Sequence, residues 1–237
     1  MRQQPTGSYD SVYVTRYMGA KYKLLDLVVP AIRQLVGPDG VIIDLMAGTH
    51  AVGYALKQRH RILANDVQAY SEVVGNALLV NRRWSTVGER VENDFLGCQE
   101  DAREPGWFAR VYSDTYFSAS QCRDIEAIRG RIDQLEDSVL RSVYLLALCS
   151  AMALCQSSPG HFAQYMPTAH PRVQSLRSMS LMDAFVTRCK ELSINVSNLG
   201  NRVVRDDALS LISSGQVSHF AGPGSVVYLD PPYTSAQ

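Results

Sequence analysis

The sequence predicts an α/β fold with a parallel sheet, interrupted by a mainly helical insertion. Three observations support this prediction. Short apolar runs end in an acid at Asp44, Asp66 and Asp230, a small-residue turn follows the first of them, and the strand–helix alternation disappears over residues 84–202. Because open α/β sheets place their chemistry at the carboxyl ends of their strands, we expect the three acids to mark a site.

Composition indicates a globular chain with a substantial core, since 46% of its 237 residues are hydrophobic and 19% are charged. The net charge of zero means that any nucleic-acid-binding surface must be local. The five cysteines form no Cys-x-x-Cys pair, so we expect reduced, buried thiols, a cytoplasmic location and no metal site. The most apolar run, residues 142–155, is shorter than the roughly 20 residues that span a membrane, so no membrane partner is expected.

The first strand and its turn have the pattern of a nucleotide-binding site. Residues 41–44 form a short apolar strand ending in Asp44, a turn containing Gly48 follows, and a helix begins at about Ala51. Glycine permits close approach of the backbone to a ligand, and the helix start faces that ligand. The dinucleotide fingerprint Gly-x-Gly-x-x-Gly is absent.

The second strand, residues 61–66, ends in Asp66. An acid about 20 residues beyond the glycine turn is where nucleotide folds bind ribose hydroxyls. Capping the predicted helix over residues 69–82 is an alternative that is compatible with that role. A further helix is predicted from residue 24 to the turn that begins at Gly37.

The last strand is predicted over residues 226–229, where four apolar residues indicate burial. Pro231 and Pro232 end it because proline cannot donate to a strand ladder. Asp230 and Tyr233 are thereby presented at its carboxyl end. The ordinary alternative is that residues 230–233 are only a polar turn that ends a strand.

The insertion carries two contrasting charge regions and helical segments, one from Ser120 towards Asp137 and one over residues 138–156. Residues 92–137 hold 11 acids and 5 arginines, whereas residues 157–205 hold six basic residues and two acids. Such a charged run is usually a solvated surface, but a local basic segment also suits phosphate contacts. The candidate DNA-contacting residues are His161, Arg172, Arg177, Arg188, Lys190 and Arg202.

Taken in order, these segments resemble the Dam-like, D12-class DNA adenine-N6 methyltransferases. That family has a Gly-x-Lys segment, a glycine turn, a ribose-binding acid, an inserted recognition region, another acid-ended strand and Asp-Pro-Pro-Tyr. The resemblance implies a Rossmann-like S-adenosylmethionine-dependent methyltransferase fold that acts on double-stranded DNA. Residues 1–83 and 203–237 would form its catalytic domain and residues 84–202 its recognition region.

The resemblance also implies roles for individual residues. The residues expected to bind S-adenosylmethionine are Tyr17, Lys21, Asp44, Met46, Ala47, Gly48, Asp66, Asp207 and Ala208. Asp206 competes with its neighbour Asp207 for contact with the cofactor's adenine. The catalytic residues implied are Asp230, Pro231, Pro232 and Tyr233.

The sequence departs from the family pattern at two places. His50 stands where the second glycine of the turn is usual, and we expect a tolerated substitution rather than a catalytic histidine. The sequence stops four residues after Tyr233, before about three further strands of the usual sheet. We therefore expect the last strand to be left as an exposed edge that invites pairing, in a truncated piece or in a chain whose sheet a second chain completes. The alternatives are a catalytically silent DNA- or cofactor-binding subunit, and methylation of cytosine N4 or an RNA adenine.

Overall fold

The computed structural model of the chain describes residues 21–98, 104–158 and 164–231. Within these residues the chain forms two compact units, the first from residues 21–84 and 195–231 and the second from 85–194. The sequence placed the second boundary at 202. Residues 195–201 belong to the first unit, where the Asn195 amide donates to the Tyr54 hydroxyl and the Ser197 hydroxyl donates to the Lys57 carbonyl.

The first unit contains a four-stranded sheet in the order β3-β2-β1-β4. Its strands are β1 (Val41–Asp44), β2 (Arg61–Asn65), β3 (Arg202–Val204) and β4 (Val226–Tyr228). Every pairing is parallel, which confirms the predicted α/β sheet. All four residues of β1 and four of the five in β2 are buried, as expected for central strands covered on both faces.

Three helices precede the insertion. A 3₁₀ turn (Lys21–Leu24) leads into α1 (Leu25–Leu35), which ends before Gly37 as predicted. The predicted helix after the glycine turn is α2 (Ala51–Leu56). The predicted helix over 69–82 is α3 (Ala69–Gly75), which continues as a π-helical turn (Asn76–Val80).

The second unit is helical over its described residues. Its helices are α4 (Val91–Asp94), α5 (Trp107–Tyr112), α6 (Ala119–Asp133), α7 (Ser138–Cys155), α8 (Pro171–Arg177) and α9 (Leu181–Glu191). Helix α7 packs against α6 and α9, which confirms its predicted burial among helices. By length and composition alone, α7 is long and apolar enough to cross a membrane, and 50% of it is buried inside the molecule. The core helix of a soluble protein meets the same criterion.

Two further helices return to the first unit, α10 (Ala208–Ser213) and α11 (Gln216–Phe220). They cover one face of the sheet, where Leu211 packs with Ile43 and Leu63. Helices α1 and α2 cover the other face, over Ile42 and Ile62. The central strands are therefore enclosed from both sides.

Strand β4 is not the buried strand that its sequence predicted. It lies at the edge of the sheet and pairs with β1 alone among the described strands. Val227 is 49% exposed and Leu229 is 59% exposed. Both extend the apolar face that Ile43 buries in β1, but no described element covers them at this edge.

The loops that precede β1 and β4 are in direct backbone contact. The Gly37 amide donates to the Gly224 carbonyl at 2.9 Å. A Cβ atom on Gly40 would lie 2.2 Å from that same carbonyl oxygen, and Gly224 itself has φ +75°. Ser225 adds a side-chain contact, because its hydroxyl accepts from the Val41 amide at 3.0 Å. These contacts fix β4 against β1 at the end of the sheet opposite the acids.

Lys57 is a buried cation at the C-terminal end of α2, with a relative exposure of 0%. Its ammonium donates to the Leu78 carbonyl in the π-helical turn and lies 4.5 Å from the centroid of the Tyr54 ring. Burial lowers the pKa of Lys57 to about 8. The lysine thus supplies a hydrogen bond to the irregular turn and ties it to α2.

Candidate active site

Four strands bring acidic residues to one edge of the sheet. Asp44 is the last residue of β1, Asp66 follows β2, Asp207 follows β3 by three positions and Asp230 follows β4 by two. In the β1–β4 register Asp44 is paired with Tyr228. Because the strands are parallel, all four acids lie at their carboxyl ends, as the sequence predicted for Asp44, Asp66 and Asp230.

Asp44 is the most deeply buried of these acids, with an exposure of 2%. The Met46 backbone amide donates to its carboxylate, but Oδ1 has no hydrogen-bond partner among the described residues. Burial, with a smaller contribution from the charges of Asp230 and Asp66, raises the pKa of Asp44 to about 7. The carboxylates at this edge repel one another, and this repulsion favours a positively charged ligand.

Asp230 is paired with Lys21, whose position is set by the 3₁₀ turn before α1. The ammonium nitrogen lies 2.8 Å from Oδ2, and the two side chains are only 13% and 20% exposed. This contact joins the first described residue to the predicted catalytic loop. The predicted binding of the cofactor by Lys21 stays a prediction.

The glycine turn is held by the end of β2. The Ala47 amide donates to the Asn65 carbonyl at 2.8 Å, and the Gly48 amide donates to Asp66 Oδ2 at 2.8 Å. The other oxygen of Asp66 accepts from the Gln68 amide at 2.9 Å. Gly48 has φ +51°, and a Cβ atom there would have no atom within 4 Å. The turn is thus anchored on one side and open on the other, while Met46 and Ala47 are half-buried.

Asp207 caps helix α10, because its Oδ1 accepts from the Leu209 and Ser210 amides at 3.0 Å each. Ala208 is the first residue of that helix. The backbone of the competing Asp206 bonds to Asn65, with its amide donating to Oδ1 and its carbonyl accepting from Nδ2. Asp207 is exposed and Asp206 is half-buried. The loop after β3 is therefore fixed on β2 by backbone contacts.

His50 ends the glycine turn with its side chain fully buried. Its backbone has φ 59° and ψ 22°, in the left-handed region where glycine is usual. The Nε2 atom lies 2.7 Å from the Ser71 carbonyl of α3. Burial lowers the pKa of His50 to about 4, so the ring is neutral at physiological pH. A buried ring that bonds to backbone fits a structural role, in keeping with a tolerated substitution.

Comparison with known proteins identifies the family. A family model of the D12 class N6 adenine-specific DNA methyltransferases matches residues 17–237. The chain belongs to this family. The match runs through the glycine turn, the helical unit and the strand that ends at Asp230.

The D12-class chain is similar to several modification enzymes at low identity. Modification methylase StsI of Streptococcus sanguinis is 24% identical over 94% of this chain and 34% of its own length. Type II methyltransferase M.FokI of Planomicrobium okeanokoites is 25% identical over 94% of the chain and 35% of its own length. For Type II methyltransferase M2.HphI of Haemophilus parahaemolyticus the values are 23%, 92% and 65%. The chain thus spans between a third and two thirds of these relatives.

The D12 family implies S-adenosylmethionine as methyl donor, and the residues at the carboxyl edge fit such a molecule. A sulfonium cation suits the carboxylates of Asp44, Asp66 and Asp230, of which Asp44 has an oxygen without a described partner. The open space beside Gly48 leaves the turn's backbone accessible. Charge and access therefore both agree with the predicted cofactor.

Some predicted site residues of this D12-class chain lie outside the described residues, namely Tyr17, His161, Pro232 and Tyr233. Pro231 is described and exposed. It directly follows Asp230, so its carbonyl extends the same loop.

The predicted DNA-contacting residues have different environments. Arg177 Nη2 donates to the Asp114 and Thr115 carbonyls at 2.7 and 2.9 Å, which holds a loop of the second unit. Arg188 pairs with Glu191 at 2.5 Å and Lys190 pairs with Glu92 at 2.6 Å. Arg172 is exposed on α8, and Arg202 lies in β3 of the first unit, 3.4 Å from Gln216. Phosphate binding by Arg188 or Lys190 requires exchange of an existing ion pair.

Sequence reasoning missed two features of the site. Asn65, inside β2, links the turns that follow β1 and β3 through its side-chain amide, which donates to the Leu45 and Asp206 carbonyls. Ser71 and Gly75 form the surroundings of His50. An asparagine just before the acid of an apolar strand is the one local signal, because a buried amide needs polar partners.

Proposed function

We propose that this protein transfers a methyl group from S-adenosylmethionine to N6 of an adenine flipped out of double-stranded DNA. The observation that supports this most is the position of Asp230, which follows β4 at the carboxyl edge beside the buried Asp44. In the D12 family this position carries the acid of the Asp-Pro-Pro-Tyr motif.

The residue types suit methylation of an amino group. Adenine N6 is a poor nucleophile because its lone pair is delocalised into the ring. The Asp230 carboxylate and the Pro231 carbonyl are two acceptors for the two N6 protons, and this pairing would direct the lone pair outward. S-adenosylmethionine would supply the methyl group: the nitrogen–carbon bond would form as the sulfur–carbon bond breaks, and N6 would then release its surplus proton to water. Asp230 contributes orientation and stabilises the positive charge that develops on N6.

Lys21 and the incoming N6 amino group would meet at the same Asp230 carboxylate. The two side chains are in contact at 2.8 Å, and a carboxylate oxygen has room for more than one donor. We propose that the incoming amino group shares Asp230 with Lys21 or displaces it. Tyr233 would stack on the base, because an adenine inside the duplex must be extruded to be methylated.

The DNA partner would be contacted by the basic part of the inserted helical unit. Residues 157–205 are net basic, and among the described candidates Arg172, Lys190 and Arg202 are exposed. The relatives named above are modification methylases, which suggests a role in restriction–modification and a cytoplasmic location. Adenine as the methylated base rests on the family match.

A methyl-transfer assay tests this proposal. Purified protein is incubated with tritiated S-adenosylmethionine and unmethylated genomic DNA, and the product is digested to nucleosides. We expect label in N6-methyldeoxyadenosine, its loss in Asp230→Ala, and its retention in Asp39→Ala, which alters an exposed acid before β1. Label on cytosine, or full activity of Asp230→Ala, would contradict the proposed methylation of adenine N6.

The exposed edge of β4 supports a second proposal, that another segment or chain completes the sheet. Val227 and Leu229 form an apolar column beside an outer edge that no described strand pairs. Such an edge invites strand addition. Without it the protein would bind cofactor and DNA but be catalytically silent, which is the alternative function.

Cofactor titration separates the two functions. Binding of S-adenosylmethionine without methyl transfer would favour the silent subunit, and gain of transfer on adding a candidate C-terminal segment would favour a sheet completed in trans. Val227→Lys with Leu229→Lys should abolish that gain while leaving cofactor binding unchanged. Transfer by the chain alone, unaffected by these substitutions, would rule out the need for a partner.

A further inference from the structure

The segment Met46–His50 is tied to the β2–α3 half of the unit at three points. Ala47 bonds to Asn65 and Gly48 bonds to Asp66, each at 2.8 Å. The third tie is the His50 side chain, which reaches Ser71 in α3. The first two ties use backbone amides of the turn, one of which needs the Asp66 carboxylate as its acceptor, whereas the third uses a side chain of the turn itself.

The His50 ring has a defined proton arrangement. Nε2 lies 2.7 Å from the Ser71 carbonyl oxygen and 2.9 Å from its hydroxyl oxygen. Since a carbonyl only accepts, Nε2 must donate, and the neutral ring carries its proton there. Nδ1 has no partner among the described residues, so the whole hydrogen bonding of the ring is directed to Ser71.

Space for the ring is provided by Gly75. A Cβ atom at this position would lie 2.6 Å from His50 Cε1 and 2.7 Å from Nε2, which is closer than real Cβ atoms approach. It would also meet Val203 Cγ2 at 2.8 Å. The imidazole therefore occupies a slot that the absence of a side chain at 75 leaves open.

The backbone of His50 is also held in a fixed conformation. Its amide donates to the Ala47 carbonyl at 2.7 Å, which closes the turn around Gly48, and its own backbone is in the left-handed conformation. A residue with a side chain seldom adopts this conformation unless its surroundings hold it there. Here the burial of the imidazole and its hydrogen bond to Ser71 stabilise this conformation.

We propose that His50 is a positioning residue that locks the glycine turn in its cofactor-binding conformation by anchoring it to Ser71 in the slot left by Gly75. This inference rests on the proposed function, in which the turn binds S-adenosylmethionine. It explains how a bulky residue stands where the family pattern has glycine. His50 acts through Gly48 and its neighbours and takes no part in the transfer itself.

The test measures cofactor binding and turn mobility in His50→Gly and His50→Asn. Both residues tolerate the left-handed conformation, and both lose the bond to Ser71. We expect the Kd for S-adenosylmethionine to rise about tenfold, with kcat at saturating cofactor and the KM for DNA nearly unchanged. Amide exchange at Gly48 and Thr49 should accelerate in both variants. Unchanged Kd and exchange rates in both folded variants would overturn the proposal.

Gly75→Ala provides an independent arm, because it crowds the ring without removing it. It should raise the Kd in the wild-type background and raise it less in the His50→Gly background, where the ring is absent. Gly222→Ala is the matched control, since a Cβ atom there meets nothing within 4 Å. Equal effects of Gly75→Ala in the two backgrounds would contradict the coupling.

Failure of the proposed function gives a different result. If the wild-type protein binds no S-adenosylmethionine, that function falls, while amide exchange still decides whether His50 holds the turn. Faster exchange in His50→Gly would then support the anchoring, and equal exchange would reject it.

Discussion

The ammonium of Lys21 lies 2.8 Å from a carboxylate oxygen of Asp230, and both side chains are largely shielded from water. The two residues stand 209 positions apart, before α1 and after β4. The negative charge of Asp230 also raises the pKa of Asp44. Lys21 is thus the described counter-charge in a site that gathers carboxylates.

Replacing Lys21 by alanine should lower the free energy of unfolding by about 1–2 kcal/mol, because Asp230 would remain half-shielded beside other acids without its partner. Urea unfolding at neutral pH measures the loss. Lys190→Ala is the matched control, since its pair with Glu92 is 52% and 70% exposed and should contribute little to stability. Equal losses in both variants would contradict a special role for the shielded pair.

Asp44→Asn should stabilise the folded protein at pH 8. The pKa of Asp44 is raised from 3.8 to about 7, so the folded protein holds this proton more tightly than the unfolded chain. That contribution is favourable at low pH and is lost as the pH rises towards 7, with an upper limit of about 4 kcal/mol. Urea unfolding of both proteins at pH 8 and pH 4 should show a gain that shrinks on acidification. A gain independent of pH would place its origin elsewhere.

Binding of S-adenosylmethionine should depend on the same proton. A cation beside Asp44 favours its ionised form, so cofactor binding below about pH 7 must release a proton. We expect the Kd to fall several-fold between pH 6 and pH 8. Calorimetry in two buffers of different ionisation enthalpy would count the protons released. Asp44→Asn should bind more weakly and without this pH dependence; an unchanged dependence would assign it to another group.

Gly40→Ala should destabilise the first unit by about 2–3 kcal/mol, because its Cβ atom would lie 2.2 Å from the Gly224 carbonyl oxygen. Separation of the two loops would also loosen β4 and therefore reduce methyl transfer. Gly130→Ala, at an exposed position inside α6 with nothing within 4 Å, should instead stabilise by about 0.5–1 kcal/mol. Thermal unfolding compares Gly40→Ala, whose Cβ atom enters occupied space, with Gly130→Ala, whose Cβ atom enters empty space. A tolerated Gly40→Ala would show that the loops are free to separate.

The local pattern of the sequence was sufficient to predict the carboxyl edge of the sheet. Each of the strands β1, β2 and β4 is an apolar run closed by an acid or a proline, and both signals depend on neighbouring residues only. For β4, the burial predicted from its apolar run was wrong, whereas the family pattern predicted the exposed edge that the structure has. Four apolar residues indicate that a strand can be covered, but not which element covers it, and Val227 remains 49% exposed.

Contacts between distant residues account for what the sequence did not reveal. Lys21 pairs with Asp230 only because α1 and β4 meet at one edge of the sheet, and no spacing in the chain encodes that distance. The surroundings of His50 were equally hidden. Ser71 and Gly75 look like ordinary helix residues until the left-handed turn directs an imidazole towards them.

The burial of Lys57 has a practical consequence. An amine that is fully enclosed, and engaged with the Leu78 carbonyl, is out of reach of acylating reagents while α2 and the π-helical turn stay together. Mass spectrometry after brief treatment with such a reagent would find this lysine unmodified in the native protein, whereas the 52%-exposed Lys190 side chain would react. The rate at which Lys57 becomes labelled therefore reports how often this part of the molecule opens, without a probe having to be introduced.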